Sequence, residues 1–243
     1  MTLALFLVET VPAGDFTLDG PEGRHAAAVR RLRAGEELLV SDGRGTLARC
    51  AVTAAGKDTL DLAVLDRWTE PAPAPRVVVA QALAKGDRGE LAVELATEAG
   101  ADVIIPWRAR RSVAKWDDGP RGDKALAKWR ATAREAAKQS RRAWLPEVTA
   151  PMDLRALSHR VGESARALVL EAGEATRLSA VPLPAEGDIL LVVGPEGGID
   201  PAELDALTSA GATPVRLGPT VLRTSTAAAV ALGALGVLTP RWH

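Results

Sequence analysis

From residue 77 onward, short apolar runs alternate with stretches whose apolar positions recur every three or four residues. The runs VVVAQAL (77–83), DVIIP (102–106), ARALVLEA (165–172), DILLVV (188–193) and TPVRLG (213–218) predict strands buried on both faces. Between them, ELAVELATEAGA (90–101), DLRALSHR (153–160) and PAELDALTSAG (201–211) predict helices, and a long helical stretch covers 123–144. Strands alternating with helices predict an α/β fold with a mainly parallel sheet covered on both faces. Before residue 68 the rhythm differs. EELLVSD (36–42), GTLARCAVTAA (45–55) and DTLDLAVLD (58–66), broken by Gly43, Gly45 and Gly56, predict a small β-barrel or meander, with one helical piece over 23–35. Between the two patterns, WTEPAPAPR (68–76) carries three prolines and predicts an extended connector. Two domains are therefore expected, 1–70 and 76–243.

The N-terminal MTLALFLVET lacks a basic leading segment and is interrupted by Glu9, so it predicts a strand and not a signal peptide. The apolar stretch AAAVALGALGVLTP (227–240) falls short of the ~20 residues that span a bilayer. It is apolar on all sides, which predicts burial in a core or a subunit interface. The single cysteine, Cys50, excludes an internal disulfide framework and suits a reducing cytosol, so a cytoplasmic protein without membrane attachment is expected. His25, His159 and His243 show no metal-ligand spacing with Cys50 or with each other, so no metal site is expected.

Formal net charge is -1 and says nothing about partners, but the charge is unevenly spread. Residues 108–142 hold twelve basic and four acidic side chains. That clustering is the footprint of a phosphate-binding surface, although a solvated helix face would also carry it. Arg30, Arg31 and Arg33 form a second basic cluster.

Candidate chemistry concentrates in two glycine-bearing loops. GPEGG (194–198) leaves the predicted strand 188–193, at the edge where open α/β sheets bind ligands. Asp200, Pro201 and Glu203 then predict a helix start, with Asp200 as cap and Glu203 returning a capping bond. No GK[ST] or G-x-G-x-x-G pattern is present, and Glu196 would repel a pyrophosphate, so a cationic or neutral polar ligand fits better. By itself the loop fits equally well a structural turn whose glycines make room for packing. The second loop, in VRLGPTVLRTSTAAAV (215–230), enters a helix that Thr224, Ser225 and Thr226 can cap. Together the loops could enclose one small molecule.

GPEGG followed by LGPTVLRTSTA resembles the cofactor loops of the SPOUT class of RNA methyltransferases, specifically the RsmE type. LAKGDRGELAVELATEAGADVIIP (83–106) looks like that family's first strand-helix-strand unit. RRSVAKW (110–116) and REAAKQSRRAWLPEV (134–148) resemble its basic segment, with Glu135, Gln139, Ser140 and Arg142 matching its core. HAAAVRRLRAGEELLVSDGRG (25–45) resembles its PUA-like N-terminal β-barrel. The resemblance implies methylation of N3 of one uridine in 16S ribosomal RNA with S-adenosylmethionine (SAM), the assembled 30S subunit as substrate, a C-terminal trefoil knot and a homodimer. It differs at Ser225, where the family usually has glutamate.

The resemblance implies a cofactor site at Leu170, Glu171, Gly194, Pro195, Gly197, Gly198, Leu217, Gly218, Leu222, Thr224 and Thr226. Arg223 is the candidate that stabilises a developing uridine anion, and Glu196 the candidate that orients substrate or cofactor. RNA contacts are expected at Arg30, Arg31, Arg33, Lys85, Arg110, Arg111, Lys138, Gln139, Arg141 and Arg142. The alternatives are another SPOUT activity, such as ribose 2′-O-methylation, and an RNA-binding protein without catalysis.

Overall fold

The computed structural model describes residues 3–174 and 176–242; His243 therefore lies outside the described residues. The N-terminal apolar run forms a strand, β1 (Leu5–Leu7), followed by β2 (Phe16–Leu18) and a short helix α1 (Gly20–Arg24) that widens into a π-helical turn over His25–Val29. Strands β3 (Glu37–Ser41), β4 (Thr46–Ala55) and β5 (Leu60–Thr69) complete a five-stranded sheet in the order β1-β3-β4-β5-β2. Only the β1–β3 pair is parallel. Phe6, Leu38, Val40, Cys50, Leu60 and Leu62 form the core of this first unit. Burial pushes the Cys50 thiol up to about 11, so it stays protonated at neutral pH. His25 sets its ring edge-on to Phe6 at 5.8 Å. The helix expected over 23–35 stops earlier: Arg31 has φ +57, a left-handed conformation that breaks the helical path. Arg30, Arg31 and Arg33 are consequently exposed in the turn that follows.

The second unit begins at Pro73. Its elements are β6 (Arg76–Ala82), α2 (Arg88–Glu98), β7 (Val103–Trp107), α3 (Pro120–Gln139), β8 (Glu147–Val148), α4 (Leu154–Glu163) and β9 (Arg166–Leu170). They continue with β10 (Asp188–Val193), α5 (Pro201–Ser209), β11 (Thr213–Val215) and α6 (Thr224–Leu238). All pairings of the six-stranded sheet, ordered β11-β9-β10-β6-β7-β8, are parallel. Strand periodicity of two sends Val77 and Val79 to one face, where they meet Val93, Trp129 and Leu232 of α2, α3 and α6. Val78 and Ala80 go to the other face, against Leu157 of α4 and Leu207 of α5. The sheet is thus covered on both faces, as its unbroken apolar strands require. Among the described residues no helix is long and apolar enough to cross a membrane.

Helix ends follow their glycines. After α2, Gly100 takes φ +101, and Ala101 N donates to Ala96 O at 2.9 Å. After α5, Gly211 at φ +110 serves the same purpose, with Ala212 N donating to Leu207 O at 3.0 Å. Helix α6 is apolar all round yet only partly buried. Ala228, Ala231, Leu232 and Leu235 enter the core, while Val230, Val237 and Leu238 stay exposed. Gly236 is needed where it stands, because a Cβ there would lie 2.3 Å from the Trp242 ring.

The long helix expected over 123–144 ends at Gln139, and Arg141 has φ +56. Residues 137–145 instead join the first unit. Ala143 packs with Leu5, Leu7 and Leu47, and its carbonyl accepts from Gly45 N at 3.0 Å. Trp144 Nε1 donates to Glu70 O at 3.1 Å.

Ion pairs gather at the N-terminal ends of the central strands β6 and β10. The Arg76 guanidinium donates twice to Asp188, each at 2.9 Å, and Arg160 donates to the same carboxylate. These bonds, Arg76 first, hold the Asp188 carboxyl below the usual range against the opposing effect of burial. A depressed pKa stabilises the fold above the unfolded value of about 4 and loses that contribution as pH falls through the folded value. Asp188→Asn should therefore cost about 2 kcal/mol at pH 7 in urea unfolding and flatten the decline in stability below about pH 4.

Candidate functional site

After Asp188 the strand DILLVV is apolar throughout, so β10 runs through the sheet centre and delivers GPEGG at its C-terminal edge. Gly194 must lack a side chain: a Cβ would lie 2.6 Å from Ile199 Cγ1. Gly198 has φ +73, which closes the turn. Asp200 caps α5 as expected, accepting from Ala202 N at 3.1 Å, with Pro201 in the first helical position. Glu203 departs from its expected role. It is buried and accepts from Arg110 N at 2.8 Å, and so ties the segment after β7 to α5.

Thr224 joins the two glycine-bearing loops. Its hydroxyl donates to Gly194 O at 2.6 Å and accepts from Gln81 Nε2 at 3.1 Å. Gln81 is buried at the end of β6, so three chain segments meet at one hydroxyl. Thr224→Val keeps the shape but takes the donor from Gly194 O and leaves Gln81 Nε2 with only the carbonyls of Ala82 and Thr224, which should cost about 1–3 kcal/mol in urea unfolding. The capping expected from the Thr-Ser-Thr run does not form. Arg223 is the N-cap residue, without a side-chain cap, and its carbonyl accepts from Thr226 N and Ala227 N at 3.0 Å each. The Thr226 hydroxyl donates to that same carbonyl at 3.2 Å. Ser225 is buried, and its hydroxyl has no hydrogen-bond partner among the described residues.

The loops following β9, β10 and β11 enclose a cavity of about 430 Å³. Leu170, Glu171, Gly194, Pro195, Glu196, Gly198, Leu222, Arg223 and Thr224 all line it. Leu217 and Gly218 line a smaller cavity of about 90 Å³ that shares Leu170, Glu171 and Leu222 with the larger one. Two expected cofactor residues, Gly197 and Thr226, stand outside both walls. Sequence reasoning missed Arg88, Ala172, Val193, Ile199, Val221 and Ala227, which complete the larger wall. Most are apolar positions that read as ordinary core. Glu196 Oε1 accepts from Lys85 N at 3.1 Å, so the carboxylate inside the glycine loop fastens it to the loop after β6.

The residues expected to contact RNA are placed differently from one another. Arg30, Arg31, Arg33, Lys85, Gln139 and Arg141 are exposed, and Arg141 Nε also donates to Leu3 O at 2.7 Å. Arg110 and Arg111 face Asp200 at 3.5 and 3.6 Å, and Arg111 Nη1 reaches the carbonyls of Gly197 and Ile199 at 3.4 and 3.5 Å. Lys138 departs from the expectation of an exposed phosphate ligand. Only 8% of its side chain is exposed, and its ammonium pairs with Glu22 at 3.1 Å. Arg142 is half-buried. Among the described residues no cluster of three or more His, Cys, Asp or Glu side chains could hold a metal ion.

This arrangement, a loop-built cavity at the C-terminal edge of a parallel sheet with a separate small β unit, falls in the class of RNA methyltransferases. The family model for the RNA methyltransferase domain matches residues 70–236, and that for the RNA methyltransferase PUA domain matches residues 18–65. Within that class the chain belongs to the ribosomal RNA small subunit methyltransferase E family. It is 54% identical to the Mycobacterium bovis member, over all of this chain and 94% of that one. The Bacillus subtilis member is 33% identical over 96% of this chain and 93% of its own length. The crystal structure of the Neisseria gonorrhoeae member, bound to S-adenosyl methionine, superposes with a TM-score of 0.84 at 25% identity and 98% coverage of both chains.

Proposed function

We propose that this protein methylates N3 of one uridine in 16S ribosomal RNA, with SAM as methyl donor and the assembled 30S subunit as substrate. The observation that carries this reading is the cavity formed by the loops after β9, β10 and β11, in a chain of this family. Its wall suits a nucleoside with a charged tail. Leu170, Leu222 and Ala227 offer apolar surface, Gly194 and Gly198 admit close backbone approach, and Glu171 and Glu196 disfavour a polyphosphate. SAM supplies an electrophilic methyl group on sulfur when bound.

The protein's own contribution is positioning and electrostatics. The Thr224 hydroxyl holds the glycine loop against α6, and Glu196 holds it against the loop after β6. Uridine N3 is paired within a duplex, so the base must enter unpaired or flipped out. N3 must also lose its proton. Arg223, exposed at the cavity rim, stabilises the uridine anion as that charge develops. Ser225 contributes to neither cavity wall, which fits a packing position.

The exposed arginines at 30, 31 and 33, with Lys85, Arg110, Gln139 and Arg141, supply phosphate and sugar contacts. A second copy of the chain covers Val230, Val237 and Leu238 of α6, and the C-terminal segment is knotted as in SPOUT enzymes. The test is transfer of label from methyl-tritiated SAM to 30S subunits lacking the modification, compared with naked 16S RNA. Label in the 16S RNA of the subunits is expected, and its absence would overturn the proposal.

A further inference from the structure

Several arginines of the second unit have carboxylate partners. Arg76 and Arg160 share Asp188, and Arg241 pairs with Asp102 at 2.6 Å. Arg88, Arg166 and Arg216 are half-buried, and among the described residues their side chains make no hydrogen bond or ion pair. A partly desolvated guanidinium without an anion is costly, and proteins ordinarily pair it. Arg88 is unpaired where it contributes to the wall of the 430 Å³ cavity.

Its position is fixed from two sides. Arg88 is the first residue of α2, and the next residue, Gly89, presses against Trp129, where an added Cβ would lie 3.1 Å from the indole. Trp129 is in turn held edge-on by Trp116, with ring centroids 4.9 Å apart. Three residues before Arg88, the Lys85 amide is bound by Glu196 of the glycine loop. The backbone that carries Arg88 is therefore tied to the glycine loop on one side and packed against α3 on the other.

The charges along the wall are unevenly placed. The part shared with the smaller cavity is lined by Leu170, Glu171, Ala172, Val221, Leu222 and Ala227 and suits a nucleoside. Arg88, Glu196 and Arg223 belong only to the larger part. We infer that Arg88 binds the α-carboxylate of the amino-acid moiety of an S-adenosyl ligand, and so selects nucleosides that carry an amino-acid tail. This rests on the proposed SAM site and adds the group that reads the ligand's anionic end. A guanidinium suits the task because its fork matches the two carboxylate oxygens.

The test is calorimetric titration with S-adenosylhomocysteine, which carries the carboxylate, and with 5′-methylthioadenosine, which lacks the amino-acid tail. The intact protein should prefer the former. Arg88→Ala should weaken S-adenosylhomocysteine roughly tenfold to a hundredfold, the range for a charge-assisted contact, and leave methylthioadenosine within about twofold. Retained methylthioadenosine binding shows that the cavity is intact in the variant, and Arg88→Lys should restore part of the preference. Equal weakening of both ligands, or no change in either, would overturn the assignment. Failure of the intact protein to bind either ligand would instead reject the SAM site, and this inference with it.

Discussion

Arg223→Ala should lower methylation of 30S subunits by at least roughly a hundredfold while leaving SAM affinity within about twofold, the signature of a group that acts mainly as charge develops. The residue stands at the cavity wall immediately before α6, and only its backbone carbonyl serves the helix, accepting from Thr226 N and Ala227 N. Its side chain carries no structural bond among the described residues, so truncation should leave the fold intact. Single-turnover rates with saturating SAM, read beside a calorimetric titration, separate the two effects. Full activity in the variant, or a parallel loss of SAM binding, would remove Arg223 from the reaction.

Asp102→Ala should destabilise the protein by about 3–5 kcal/mol, because it leaves a buried guanidinium without its anion. Asp102 and Arg241 are each 8% exposed and meet at 2.6 Å. Asp102 Oδ2 also accepts from Val77 N at 2.8 Å, and Arg241 reaches the carbonyls of Pro75 and Gly100, each at 2.6 Å. This knot of polar contacts fastens the chain after α6 to the starts of β6 and β7. Helix α6 begins at the cavity, so its anchored end bears on the site's geometry. Urea unfolding checks the magnitude, and a loss below about 1 kcal/mol would show that the pair is solvated enough to be dispensable.

The parts of this structure that follow local patterns could be read from the sequence. β6, β7, β9 and β10 are continuous apolar runs, and α2 and α5 end at Gly100 and Gly211 because glycine alone readily takes their positive φ. The two glycine-bearing loops pointed to the cavity because both follow strands of the same parallel sheet. Long-range choices were less legible. Nothing in the composition of AAKQSRRAW says that Ala143 will pack beside Leu5 and Leu7, so the helix was expected to continue past Gln139. Lys138 reads as one more member of a basic cluster, because its partner Glu22 is distant in sequence. Arg88 is illegible for the converse reason. An arginine opening a helix is unremarkable until the cavity beside it and the missing counter-ion are both in view.

The most direct measurement is to incubate 30S subunits from a strain lacking the modification with this protein and labelled SAM, digest the 16S RNA to nucleosides, and identify the labelled product by mass spectrometry. The expected product is 3-methyluridine, at about one per subunit. A 2′-O-methylated nucleoside, a methylated base other than 3-methyluridine, or no labelled nucleoside would contradict it.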